Sequence, residues 1–116
     1  MPHAHRARVG RRKVVDYLLS HTHLVGRHKA RYFESLGFTV DRPDELAAAL
    51  RLVAREGVVV EAVVSEFGTR YIVDGVLRTP KSATPAIRTI WMIQAGADIP
   101  EFVTAYPRRS KGELDV

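Results

Sequence analysis

The sequence predicts an α+β fold in which N-terminal helices precede a four-stranded antiparallel meander. Two observations carry this. Apolar residues recur with the period of a helix as far as Gly57 and with a period of two after it. The alternating segments of the second half are joined by short connections at Phe67-Gly68 and Gly96-Ala97-Asp98, and short connections favour antiparallel neighbours. With 116 residues the chain makes one domain and can bury a real core. Residues 1–12 are expected to be a basic, disordered arm, residues 13–107 the α+β domain, and residues 108–116 a flexible tail.

Residues 13–19 place Val14, Val15, Leu18 and Leu19 on one side, enough for one or two helical turns. Ser20 and Thr22 offer capping hydroxyls for a helix over 25–36. Its buried stripe is Ala30, Phe33 and Leu36 with Tyr32 beside them, while Arg27 and Arg31 share another face. Gly37 closes it as a left-handed cap. The next helix has clearer ends. Asp44 and Glu45 follow Pro43 in the first turn, Leu46, Ala49, Leu50 and Val53 recur on one face, and Gly57 is the stop beyond Arg51 and Arg55. Strands follow over 58–65, 69–77, 86–95 and 99–106, with a two-proline loop at 79–85.

Laying the last two strands across the Gly96 turn pairs Thr89 with Thr104, Trp91 with Phe102 and Ile87 with Tyr106. One face then carries Thr89, Trp91, Phe102, Thr104 and Tyr106. The other carries Arg88, Ile90, Met92, Val103 and Ala105. Left open, the first face offers aromatics on which bases stack. Covered by helices, Trp91 and Phe102 are simply core.

The absence of cysteine excludes disulfides and thiolate metal sites and suits a reducing cytoplasm, the expected localisation. No apolar run approaches the roughly 20 residues that cross a bilayer, and the start lacks a secretory signal, so no membrane partner is expected. The net charge of +5 is concentrated in Arg6, Arg8, Arg11, Arg12 and Lys13, unopposed by any acid; residues 14–106 hold ten basic against eleven acidic side chains. Such an arm contacts nucleic acid or stays solvated. There is no nucleotide-binding glycine loop, nucleophile elbow, HExxH or zinc-knuckle cysteine pair, so dehydrogenases, kinases, elbow hydrolases and zinc proteases have no support.

His21, His23 and His28 are candidate acid/base groups, since an imidazole takes and gives a proton near neutrality. Their spacing suits no familiar metal site, and no cofactor is expected. Each also reads as a capping or surface residue; His23, just before the helix, is the one placed to reach the sheet. Arg27, Lys29 and Arg31, with Arg70 and Arg88 from the strands, can neutralise a phosphate or form an ordinary solvated basic face. Arg88 lies between Ile87 and Thr89, and an arginine inside an apolar strand must find a partner or an anion. Thr104 and Tyr106 suit as phosphate-orienting donors, or as ordinary strand residues.

Several stretches together resemble a small uncharacterised bacterial domain family. They are Asp16-Tyr17-Leu18-Leu19-Ser20, His23, Gly26-Arg27-His28-Lys29-Ala30, Leu36-Gly37-Phe38, Gly68-Thr69-Arg70-Tyr71, Arg88-Thr89-Ile90-Trp91 and Val103-Thr104-Ala105-Tyr106-Pro107. The resemblance covers residues 13–107 and departs at Leu24, where the family often has proline. Its layout is similar to the barnase/EndoU/colicin/RelE-like nuclease superfamily, which supplies toxins. That likeness implies a His and a Lys at the first helices and a Thr or Ser with a Tyr on the later strands. Here these are His23 and Lys29, then Arg88 or Thr89, Thr104 and Tyr106.

The expected function is therefore a metal-independent endoribonuclease of toxin type, cleaving RNA by attack of the 2′-hydroxyl. His23 would serve as acid or base, Lys29 and Arg88 would stabilise charge on the transferring phosphorus, and Thr104 and Tyr106 would orient the phosphate. Arg27, His28, Arg31, Arg70, Tyr71 and Trp91 are the expected RNA contacts. RNA and a cognate antitoxin or immunity protein are the expected partners. Two rivals stay open: a non-catalytic binding module of a toxin–antitoxin-like system on the same fold, and an assembly protein, such as a homodimer, that pairs through its sheet edge.

Overall fold

The computed structural model describes residues 1–23 and 26–108. After a 3-10 turn at Ala4–Arg6, helix α1 (Arg11–Lys13) runs directly into a π-helical stretch, Val14–Leu18. Helices α2 (Arg27–Ser35) and α3 (Pro43–Glu56) follow. Strands β1 (Val58–Ser65), β2 (Gly68–Val76), β3 (Ala86–Gln94) and β4 (Glu101–Pro107) form one antiparallel sheet in the order β1-β2-β3-β4. This is the expected α+β meander, with strand ends moved by one or two residues.

Helix α3 forms as its sequence dictates. Pro43 fits the first turn, Asp44 and Glu45 meet the positive end of the dipole, and Leu46, Ala49, Leu50 and Val53 are buried on one face. Helix α2 ends near Gly37, whose φ of 98° is a left-handed conformation suited to glycine. Its start departs from expectation, because no hydroxyl caps it. Ser20 Oγ instead accepts the amides of Thr22 and His23 and tightens the turn upstream, leaving Gly26 as the cap. Leu24 and Val25, expected at the start of this helix, lie outside the described residues.

The helices cover one face of the sheet. Val73, Ile87, Trp91, Phe102 and Ala105 meet Leu18, Phe33, Leu46 and Leu50 in a single core. The expected pairing of Trp91 with Phe102 is present, but the register slips between Ile90 and Trp91. Ile90 therefore faces Thr104, Thr89 faces Ala105, and Arg88 faces Tyr106. Successive side chains alternate between faces, so the one extra residue in β4 sends Thr104 and Tyr106 away from Trp91. The expected face of aromatics and threonines is thus divided. Thr89, Trp91, Phe102 and Ala105 enter the core, and Arg88, Ile90, Thr104 and Tyr106 share the outer face.

Two further expectations are corrected. Trp91 is fully buried, its indole N–H donating to Thr89 Oγ1 at 2.7 Å, while that hydroxyl donates to the Val73 carbonyl at 2.8 Å. Residues 1–12 are folded onto the domain rather than loose: Ala7 is buried and Arg8 joins the start of β4. The Arg8 amide donates to Pro100 and the Phe102 amide donates to the Arg8 carbonyl, each at 2.9 Å. At the other end the Arg108 amide donates to the Ala86 carbonyl at 3.1 Å, and residues 109–116, the rest of the expected tail, lie outside the described residues.

The two sheet edges are treated differently. Past Arg8, the outward edge of β4 is closed by lysines: Lys13 Nζ donates to the Val103 carbonyl and Lys29 Nζ to the Ala105 carbonyl, both at 3.1 Å. Strand β1, at the opposite edge, leaves Val58, Val60 and Val64 exposed.

Replacing Thr89 by Val keeps nearly the same shape but leaves the Trp91 indole N–H unpaired in the core. A loss of about 1–3 kcal/mol is expected, read as a lower urea midpoint at unchanged slope. An unchanged midpoint would show that the threonine–tryptophan bond contributes nothing.

Candidate functional site

The polar groups of interest gather where residues 11–23 and the start of α2 meet the outward edge of β4. The π-helical turn sets this up. The Leu19 amide bonds the Val14 carbonyl five residues back, at 2.9 Å, which widens the turn while Val14 and Leu18 stay buried. Tyr17 reaches β4, and its phenolic oxygen lies 3.0 Å from Thr104 Oγ1. The His23 ring stands edge-on to Tyr17, with centroids 5.0 Å apart. Gly26 makes this approach possible, because any Cβ there would overlap the Tyr17 carbonyl.

The Gly26 amide donates to His23 Nδ1 at 3.0 Å. That nitrogen is therefore the acceptor, and the proton of the neutral ring resides on Nε2. Arg12, Lys13, Asp16, Tyr17, His23 and Thr104 line a shallow groove of roughly 560 Å³. Lys13 also lies 5.3 Å from the centroid of the Tyr17 ring, within cation–π range.

A second cluster adjoins the groove along β4. Lys29 Nζ, besides holding the Ala105 carbonyl, lies 5.3 Å from the centre of the Tyr106 ring, and burial pushes its pKa down. Tyr106 lies opposite Arg88, its cross-strand neighbour. Arg88 in turn grips Asp74 with two bonds, Nε to Oδ1 at 2.7 Å and Nη2 to Oδ2 at 2.8 Å. Arg108 approaches the same carboxylate at 3.0 Å. The arginine inside the apolar strand thus has the partner it required, and that partner is Asp74.

A separate pocket of roughly 270 Å³ is lined by His21, Arg27, His28 and Arg31. His21 Nε2 lies 2.6 Å from Glu34 Oε1. Of the remaining expected residues, Arg70 is exposed on β2 and Tyr71 is half-buried against the core. Thr89 and Trp91 are covered by the helical layer, so neither presents a surface to RNA, and Thr89 is corrected from a site residue to a core one. Among the described residues no group of three or more His, Cys, Asp or Glu is placed to hold a metal ion, and no helix is long and apolar enough to cross a membrane.

Three members of this arrangement are not among the expected site residues. Tyr17 is the one phenol in the run 13–19, and a phenol beside buried residues must find a partner for its hydroxyl. Asp74 is the only acid in β2, which marks it as the partner of Arg88 once the strands are paired. Lys13 gave no signal, since its role comes from the edge it closes.

Residues 1–109 match the family described as Domain of unknown function (DUF6883), and the chain belongs to that family. No curated protein matches. Among solved structures, a chain of the contact-dependent growth inhibition toxin–immunity protein complex from Klebsiella pneumoniae 342 is similar, with a TM-score of 0.69 at 14% identity. The match covers 92% of this chain and 97% of that one. At that identity the likeness is one of fold.

The Asp74 network has a pH signature. Hydrogen bonding from Arg88, against the opposing effect of burial, holds the Asp74 carboxyl below the ordinary carboxylate range, and the charges of Arg88 and Arg108 lower it further. A depressed folded-state pKa gives stability that is complete above the unfolded value and lost as pH falls through the folded one. Asp74→Asn is expected to cost about 1–3 kcal/mol at pH 7, discounted because both arginines are partly exposed. In urea titrations the gap to wild type should narrow below about pH 3.9. A gap independent of pH would remove the charge argument.

Proposed function

We propose that this member of DUF6883 is a metal-independent endoribonuclease of toxin type that acts on RNA in the cytoplasm. The observation that carries the reading is the groove beside β4, where one imidazole, a pair of hydroxyls and two cations converge. Arg12 and Lys13 would offset the charge of an RNA phosphate, and Tyr17 and Thr104 would orient its oxygens. Lys29 uses one ammonium proton on Ala105 and has two others for a phosphoryl oxygen. The Tyr106 ring supports that lysine from the outer face.

In the proposed reaction the 2′-oxygen attacks phosphorus and gives up its proton, while the bond from phosphorus to the 5′-oxygen breaks and that oxygen is protonated. The products are a 2′,3′-cyclic phosphate and a 5′-hydroxyl. His23 is the candidate for proton transfer. Its only lone pair in the neutral ring is engaged by the Gly26 amide, so accepting a proton requires that bond to open. Substrate would have to draw the imidazole off Gly26.

The similar fold belongs to a complex whose name couples a toxin with an immunity protein. By that analogy a cognate neutralising partner, acidic to match the basic groove, accompanies this chain. A second reading is a non-catalytic binding module of such a system. It is favoured by the structural duties of His23 and Lys29, which hold Gly26 and Ala105 respectively.

The deciding experiment induces wild type and His23→Ala in a bacterium and follows growth and total RNA, with purified protein assayed on RNA in EDTA. Growth arrest and cleavage to cyclic-phosphate ends, reduced about 10²–10⁴-fold by the substitution, are expected. Intact RNA with wild type, or undiminished cleavage by a folded His23→Ala variant, moves the conclusion to the binding module or to another acid/base group.

A further inference from the structure

Helix α2 is built against its own electrostatics. The first turn of a helix carries partial positive charge and favours acids. Here that turn holds Arg27, His28 and Lys29 and no acid. Arg27 and Arg31, four residues apart, also place like charges side by side, which disfavours the helix further. Lys29 is satisfied at Ala105. Among the described residues, none of Arg27, His28 and Arg31 forms an ion pair, and Glu34 is engaged by His21. Those three side chains and His21 close the pocket of roughly 270 Å³.

Unpaired cations on an exposed face are ordinary; cations converging on a concavity in a helix they destabilise call for an anion. Two planar guanidinium forks on one wall suit the oxygens of a phosphate, and the His28 imidazole adds a further ring nitrogen, His21 being held by Glu34. We infer that this pocket is a phosphate-binding subsite, distinct from the groove at β4, and that it holds a neighbouring phosphate of the same RNA strand. The assignment of the strand rests on the nuclease reading. His21 lines the pocket and His23 the groove, so their α-carbons are at most about 7 Å apart and one strand can occupy both.

The test compares full-length wild type with the double variant Arg27→Gln, Arg31→Gln. Binding of a labelled single-stranded deoxyoligonucleotide, which has no 2′-hydroxyl to attack, is measured across salt concentrations by anisotropy. Thermal shift with inorganic phosphate is measured alongside. The variant is expected to bind the oligonucleotide about tenfold more weakly at low salt, with a salt slope reduced by about 0.7 for one lost phosphate contact. Phosphate should raise the melting temperature of wild type alone, and the variant should melt no lower than wild type in phosphate-free buffer. Equal affinity and equal slope overturn the subsite. A phosphate response lost in the variant, with oligonucleotide binding unchanged, overturns the RNA assignment in favour of a small phosphorylated ligand. Because the probe is not cleaved, a wild type that leaves RNA intact refutes only the nuclease reading, and active cleavage with a silent pocket refutes only this one.

Discussion

Closure of the β4 edge organises the molecule. An outward strand edge presents unpaired carbonyls and amides that must be covered or solvated. Here the Arg8 backbone covers the first part, the Lys13 ammonium takes Val103, and the Lys29 ammonium takes Ala105. Three N-terminal segments, each more than seventy residues from β4 in sequence, are thereby tied to one strand. The N-terminal segment is ordered because it completes this edge, the π-helical turn is held beside it, and α2 is docked onto it. The polar groove lies along the same line because the elements that bear Tyr17, His23 and Lys29 are brought there by edge closure.

The bulge in β4 is the second constraint, and it acts on which face each side chain meets. Without the slip between Ile90 and Trp91, Thr104 and Tyr106 would point into the core beside Trp91. With it, Thr104 meets Tyr17 and Tyr106 meets Arg88 and Lys29. One inserted residue lets β4 contribute Phe102 and Ala105 to packing and Thr104 and Tyr106 to the polar edge, a division that strict alternation along an unbulged strand does not produce.

The parts of this structure legible in the sequence are those set by short-range rules. Helix α3, with Pro43 and two acids at its start and Gly57 at its end, and β1, with its run of valines, follow from local pattern. The meander follows from short connections. The bulge was not legible, because alternation reads a strand as regular and nothing in Phe102-Val103-Thr104 announces an extra residue. Nor was the order of residues 1–12, since a run of arginines says nothing of the backbone bonds made at Arg8. At the site, His23 and Thr104, both expected site residues, line one groove, whereas Thr89 and Trp91 lie in the core because the helices cover the sheet face that carries them. Tyr17 and Lys13 escaped because their roles are tertiary: each acts on a strand more than eighty residues away.

The cations divide in a way that bears on how such a site can work. Arg88 and Arg108 are spent on Asp74, and Lys13 and Lys29 each commit a proton to a backbone carbonyl. These groups are fixed to the sheet, so under the proposed function the β4 side of the groove is preorganised for a phosphate. The His23 side differs. Its Nδ1 already accepts the Gly26 amide, and its ring stands against Tyr17. Any chemistry that needs the lone pair of His23 therefore has to break its bond from Gly26 while the β4 side stays fixed.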